Sequence, residues 1–67
     1  MNWDQVEGNW KQMKGKVKEK WGKLTDDDLT AAHGRAEVLS GRLQERYGIS
    51  EEEAKKQMDQ FIKAHHA

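Results

Sequence analysis

The chain is 67 residues long, and its twelve Lys and Arg residues balance twelve Asp and Glu residues to give a formal net charge of zero. A chain of this length forms one small domain that buries only about 60% of the surface exposed on unfolding, so we expect marginal stability. It has no cysteine, which excludes a disulfide framework and a thiolate site.

A helical stripe dominates the first third of the chain. Apolar residues at positions 3, 6, 10, 13, 17, 21 and 24 are three or four residues apart, a spacing that lines one face of a helix and fits no strand. Asn2 and Gln5 form the capping-box pattern of a helix start. The pattern predicts a helix over 3–21, with a break at Gly8 as an open alternative.

Two more capping boxes mark later helix starts. Thr25 pairs with Asp28, and Ser50 pairs with Glu53. Leu24 and Leu29 also occupy the positions of a hydrophobic staple around Thr25. These signals and the apolar spacing predict three further helices, at 26–33, 35–47 and 51–65.

Glycines mark the expected helix ends. Gly22 and Gly48 each follow the last aromatic residue of a long helix, where a residue in the left-handed conformation ends many helices. The chain contains no proline and no long linker, so the loops are expected to be tight. We therefore predict a compact all-α bundle of four helices, or five with the break at Gly8, built as two related helical hairpins.

An internal repeat relates the two halves of this single domain, residues 1–67. All six glycines fall into two triplets with intervals of seven, the second displaced from the first by 26 residues. A short repeated unit cannot bury its apolar face alone and packs on its copy. The copies are expected at about 3–28 and 29–54, and the core is expected to comprise Trp10, Met13, Val17, Trp21, Leu29, Leu39, Leu43 and Tyr47, closed by Met58, Phe61 and Ile62.

Four glycines are predicted inside the helical pattern: Gly8, Gly15, Gly34 and Gly41. Each would cost about 1 kcal/mol relative to alanine in a helix interior. Two explanations stay open. The glycines either let another helix, a second copy or a surface approach closely, or they break helices and loosen the fold.

Charge is segregated along the chain. Residues 1–24 hold six lysines against three acids, residues 25–54 hold three arginines against eight acids, and residues 55–67 return to a net charge of +2. Lys11, Lys14 and Lys18 share one helix face and are the candidate partner-binding residues. Nucleic acid is not the expected partner, because the net charge is zero and the tryptophans belong to the apolar stripe.

The remaining polar residues predict no catalytic, cofactor or metal site. Consecutive aspartates at 26–28 point in different directions on a helix and suit its N-terminal dipole better than a cation. His65 and His66 are adjacent and cannot both face one metal from a regular helix. Ser40 and Ser50 are the only serines, and neither lies in a pattern with a base. The sequence thus predicts a monomer that is not an enzyme and needs no cofactor.

Location is predicted from the start of the chain and from its hydropathy. The residues from Met1 to Asp4 lack the basic region and apolar run of a signal peptide, and no stretch could span a bilayer. We therefore expect a cytoplasmic protein that does not enter the membrane.

One long run of residues resembles a known family. The segment from Gly8-Asn-Trp-Lys to Leu24-Thr-Asp-Asp-Asp28, together with Gly41-Arg-Leu-Gln-Glu-Arg-Tyr-Gly48, closely resembles the CsbD-like proteins, which are small bacterial proteins of the general stress response. The resemblance covers about 2–58. It implies an all-α bundle grouped with SAM-like folds, a cytoplasmic location and expression under stress. It carries over no catalytic or ligand residue, and the segment 59–67 has no counterpart in it.

These observations leave three function classes. The first is a hydrophilic stress protectant, similar in composition to desiccation-linked hydrophilins. The second is a binding module that engages nucleic acid or a protein through the lysine-rich first helix. A small enzyme comes third, and turnover of a substrate would be needed to support it.

Overall fold

The computed structural model describes residues 2–65, which form five helices and no strand. They are α1 (Trp3–Gly8), α2 (Trp10–Lys20), α3 (Asp26–Ala32), α4 (Ala36–Tyr47) and α5 (Glu51–Ala64). The principal extents are 30 × 23 × 18 Å. The expectation of a small all-α bundle is confirmed.

The first predicted helix is broken between α1 and α2. Gly8 is the last residue of α1, and Asn9 leaves helical geometry with φ −113° and ψ 29°. The Asn9 backbone N–H and its side-chain amide both donate to the Gln5 carbonyl, at 3.0 and 3.1 Å. The chain therefore follows the five-helix alternative.

The three helix starts that were predicted from capping boxes are all present, two of them with the full box. At Asn2 and Gln5, and again at Thr25 and Asp28, the cap side chain accepts from the backbone N–H three residues later while that residue's side chain accepts from the cap N–H. Ser50 accepts from the Glu53 N–H at 3.1 Å, but Glu53 does not reach back. Its carboxylate accepts from the Gln57 amide instead, so the third box is only half formed.

The helix ends match the sequence at Gly48 and differ at Gly22. Gly48 ends α4 in the left-handed conformation with φ 63°. Gly22 has no positive φ, so the prediction of a left-handed end there was wrong. The reason is that α2 ends at Lys20 and the following loop is closed by a bond from the Leu24 N–H to the Trp21 carbonyl.

The predicted stripe residues form the core. Of the predicted set only Tyr47 and Ile62 are half-buried; the others are buried, as are Val6, Leu24, Ala32 and Ala54. Two indoles also fix the helices by hydrogen bonds. Trp10 Nε1 donates to the Leu29 carbonyl at 3.0 Å, and Trp21 Nε1 donates to Gln57 Oε1 at 3.0 Å. These bonds join α2 to α3 and to α5.

Of the four glycines predicted inside the helical pattern, Gly8 ends α1, and the other three are of two kinds. Gly34 is buried with φ 78°, and a Cβ atom there would lie 2.7 Å from Glu7 Cα, so the loop between α3 and α4 packs directly on the α1 backbone. Gly15 and Gly41 lie inside α2 and α4 and are exposed, with no atom of the described residues within 4 Å of an added Cβ. Among residues 2–65, Gly34 is thus the only glycine in close contact with another segment.

Candidate functional site

The three candidate lysines have different environments on α2. Lys18 is half-buried, and its ammonium donates to the carbonyls of Gly22, at 3.1 Å, and Leu24. Lys14 is half-buried and donates to Thr30 Oγ1 on α3 at 3.3 Å. Lys11 is exposed. Two of the three ammonium groups therefore hold the loop after α2 and the α2/α3 contact, in addition to any role toward a partner.

The strongest electrostatic feature is the Asp28 carboxylate, which is 2% exposed. Arg46 approaches it with two nitrogens, Nε to Oδ2 at 2.8 Å and Nη2 to Oδ1 at 3.1 Å. The Thr25 backbone N–H also donates to Oδ2, and Arg42 Nη1 lies 3.6 Å from Oδ1. The hydrogen bond from Arg46, and then that from Thr25, holds the pKa of the Asp28 carboxyl far below its usual range.

Asp28 thus joins the start of α3 to the last turns of α4. The same pairing raises the pKa of Arg46. Sequence reasoning found the cap but missed the arginines. A signal was present, since Asp28 directly precedes Leu29 and lies four residues before Ala32, next to the apolar stripe, whereas Asp26 and Asp27 face solvent. The arrangement is a structural ion-pair network with its charges already matched.

A groove lies between α4 and α5, with a volume of about 500 Å³. Buried Ser40 and Met58 form part of its lining, and the Gln44 amide donates to Ser40 Oγ at 3.3 Å. Exposed Glu37 also lines it, as do Gly41 and the Lys55–Glu51 pair, whose charged atoms are 2.9 Å apart. That pairing raises the pKa of Lys55. The sequence analysis did not identify this groove.

The histidines and the aspartate run show no converging ligand set. His65 Nδ1 lies 2.9 Å from the Phe61 carbonyl, and the two rings are 4.2 Å apart. His66 lies outside the described residues. In the part of the chain that the structure describes, no group of three or more His, Asp or Glu side chains could hold a metal ion. Ser50 is occupied as a helix cap.

Comparison with known proteins gives the family. A family model described as CsbD-like matches residues 4–56. The chain belongs to the CsbD-like family. UPF0337 protein YjbJ of Escherichia coli is 55% identical over 65 residues, which span 97% of this chain and 94% of that protein. UPF0337 protein ECA0631 of Pectobacterium atrosepticum is 58% identical over 65 residues, with the same coverage of 97% and 94%.

A third CsbD-like relative, UPF0337 protein PA4738 of Pseudomonas aeruginosa, is 59% identical over 61 residues, covering 91% of this chain and 94% of that protein. These names state no activity. The family match includes the α2 lysines, the Asp28 network and the α4 side of the groove. Across residues 2–65, none of the helices is both long and apolar enough to cross a membrane.

Proposed function

We propose that this CsbD-like chain acts in the bacterial general stress response as a hydrophilic protectant in the cytoplasm, without enzymatic activity. The observation that carries the proposal is the division between core and surface. Among residues 2–65 no large hydrophobic side chain is exposed, although the chain contains three tryptophans. The outside is formed mainly by charged and small residues, and Asp and Glu balance Lys and Arg.

Such a surface favours protection by hydration over capture of apolar clients. Proteins that bind unfolded or membrane partners expose contiguous apolar patches, and among the described residues no large hydrophobic side chain is exposed to form one. A charged, hydrated globule can separate other macromolecules at high concentration without adhering to them. Among residues 2–65, Asp28 is the one carboxyl whose pKa is strongly lowered. It supports the non-enzymatic part of the proposal, because Arg46 and Thr25 satisfy it within the fold.

Protection of a labile enzyme during drying provides the test. A dehydrogenase is dried with increasing amounts of the protein, rehydrated, and assayed for residual activity. We expect more activity to survive than with an equal mass of lysozyme. The Trp21→Ala variant, which keeps almost the same composition and loses the core, is the matched comparison and shows whether the folded state is needed.

A cellular arm completes the test. Cells that lack the gene are dried or exposed to high osmolarity, and their survival is compared with that of cells that carry the gene. Cell fractionation gives the location of the protein. Protection no better than that of lysozyme in the tube, together with unchanged survival of the deletion strain, would refute the proposal.

A further inference from the structure

The two repeat copies differ in what occupies the space beside their middle glycines. At the offset of 26 residues, Gly15 corresponds to Gly41, while Lys14 and Lys18 correspond to Ser40 and Gln44. In the first copy both lysines are half-buried and their ammonium groups are bonded to Thr30 and to the loop carbonyls. In the second copy the shorter, uncharged side chains leave the groove between α4 and α5 open.

Two backbone carbonyls accept hydrogen bonds from a lysine in the first copy, and their counterparts in the second copy have no such donor among the described residues. Lys18 holds the carbonyls of Gly22 and Leu24. The counterpart of Gly22 is Gly48, and that of Leu24 is Ile49, because the second copy is one residue shorter between the glycine and the next helix cap. Gly48 lies four residues beyond Gln44, but the Gln44 amide donates to Ser40 Oγ instead. Within residues 2–65 no side chain donates to the Gly48 or Ile49 carbonyl.

The lining of the open groove, rather than the Gly48 and Ile49 carbonyls, which do not line it, suits an aliphatic chain that ends in a cation. Met58 and Gly41 offer an apolar lining, and the buried Ser40 hydroxyl and the Glu37 carboxylate offer acceptors. The chain carries a matching group on the opposite half of its repeat. Lys11, Lys16 and Lys20 are exposed on α2, in the segment with net positive charge. Most of the groove lining belongs to the acid-rich segment 25–54, and the one cation that lines it, Lys55, is paired with Glu51 at 2.9 Å.

We propose that the groove between α4 and α5 binds a lysine side chain from α2 of a second copy of this chain. The contact joins unlike surfaces, so each molecule keeps one free groove and one free lysine face, and association continues into short chains. It rests on exposed charges and is therefore weak and sensitive to salt. The sequence predicts a monomer, and we expect that state in dilute solution. The proposed association applies to concentrated solution. It is independent of the protectant function.

Two variants separate the two halves of the contact. Gln44→Lys restores the arrangement of the first copy and fills the groove from within its own chain. The combined Lys11→Gln, Lys16→Gln and Lys20→Gln variant removes the donor and leaves the groove unchanged. We expect the wild type to show concentration-dependent association by sedimentation at low salt and none at about 1 M salt, where the screening length is about 3 Å. Each variant alone should remain monomeric.

Mixing the two variants gives the decisive result. The Gln44→Lys variant keeps the α2 lysines, and the triple lysine variant keeps an open groove. The mixture should therefore form pairs and nothing larger. Glu37→Gln should weaken wild-type association by up to about fivefold, the range for one exposed ion pair. Asp59→Asn, an exposed charge change elsewhere on α5, should leave association unchanged. Thermal melting confirms that each variant is folded.

Three outcomes would overturn the proposal. The first is a wild type that stays monomeric at millimolar concentration in low salt. The second is a Gln44→Lys variant that associates like the wild type. The third is an NMR titration in which 1,4-diaminobutane shifts the Gly41 amide of a wild type that never self-associates, which would assign the groove to a small amine instead of a second copy.

Discussion

At the scale of single residues, Asp28 makes the connection that the sequence did not reveal. Its place in a capping box could be predicted from Thr25 alone, because a cap depends on residues three apart in the chain. Its bond to Arg46 could not, since the two lie 18 residues apart and meet only when α3 packs on α4. Long-range polar pairs depend on the fold, whereas caps depend on local sequence.

The Asp28→Asn variant tests this network. The amide keeps the shape of the side chain but loses the charge that two arginines face, so we expect the free energy of unfolding at pH 7 to fall by about 2–3 kcal/mol. Urea unfolding followed by tryptophan fluorescence measures it. Asp27→Asn, an exposed neighbour in the same helical turn, is the control and should change stability far less.

The same pair of proteins gives a pH dependence. The folded pKa of Asp28 is depressed, so its contribution is fully present above its unfolded pKa of about 4 and is lost as the pH falls toward the folded pKa. The stability difference between wild type and Asp28→Asn should therefore be constant from pH 7 to about 5 and shrink below about 4. A difference that does not shrink between pH 5 and pH 2.5 would contradict the assignment.

At the scale of helices, the sequence predicted what depends on spacing and missed what depends on loops. The apolar spacing and the capping boxes predicted the helices, and Gly8 marked the alternative break that the structure has at residues 8 and 9. The end of α2 was misread because Lys18 and the Trp21 carbonyl close the loop without a left-handed Gly22. Which partner a loop carbonyl finds is decided by side chains that the periodic pattern does not describe.

Glycine substitutions test the helix interiors. Gly15→Ala and Gly41→Ala should each raise the free energy of unfolding by about 1 kcal/mol, because both positions are helical and an added Cβ meets no atom of the described residues within 4 Å. Gly34→Ala is the matched contrast and should destabilise the protein, since its Cβ would clash with the Glu7 backbone at 2.7 Å. Thermal melts of the three variants measure the direction of each stability change. A lower melting temperature for either helical variant would contradict the assignment.

At the scale of the whole molecule, the repeat predicted the core better than it predicted the surface. The repeat interpretation expects the apolar positions of both copies in the core, and the core residues predicted from it are buried or half-buried. The groove between α4 and α5 arises where the copies differ, at Ser40 and Gln44 in place of Lys14 and Lys18. A comparison of the copies for differences as well as matches would have located it.

Trp21 tests the core as a unit. It is 1% exposed and its ring lies 5.3 Å from that of Phe61, so Trp21→Ala should cost about 3–5 kcal/mol and unfold so small a domain. Trp21→Phe keeps most of the ring but loses the bond to Gln57, and should remain folded with a lower melting temperature. Far-ultraviolet circular dichroism measures both. An alanine variant that melts like the wild type would show that the core is misassigned.

The charge distribution of the whole chain leads to the last prediction, which concerns nucleic acid. Lys14 and Lys18 are already bonded within the fold, and the acidic middle of the chain offsets the exposed lysines. We therefore expect binding to duplex DNA no tighter than about 10⁻⁴ M at physiological salt, the weak end of non-specific binding. Fluorescence anisotropy with a labelled duplex at several salt concentrations measures the affinity. Lys11→Gln removes the exposed member of the three candidate lysines, and Lys56→Gln, on α5, is its control. Micromolar affinity with a steep salt slope that Lys11→Gln alone reduces would instead make α2 a nucleic-acid interface.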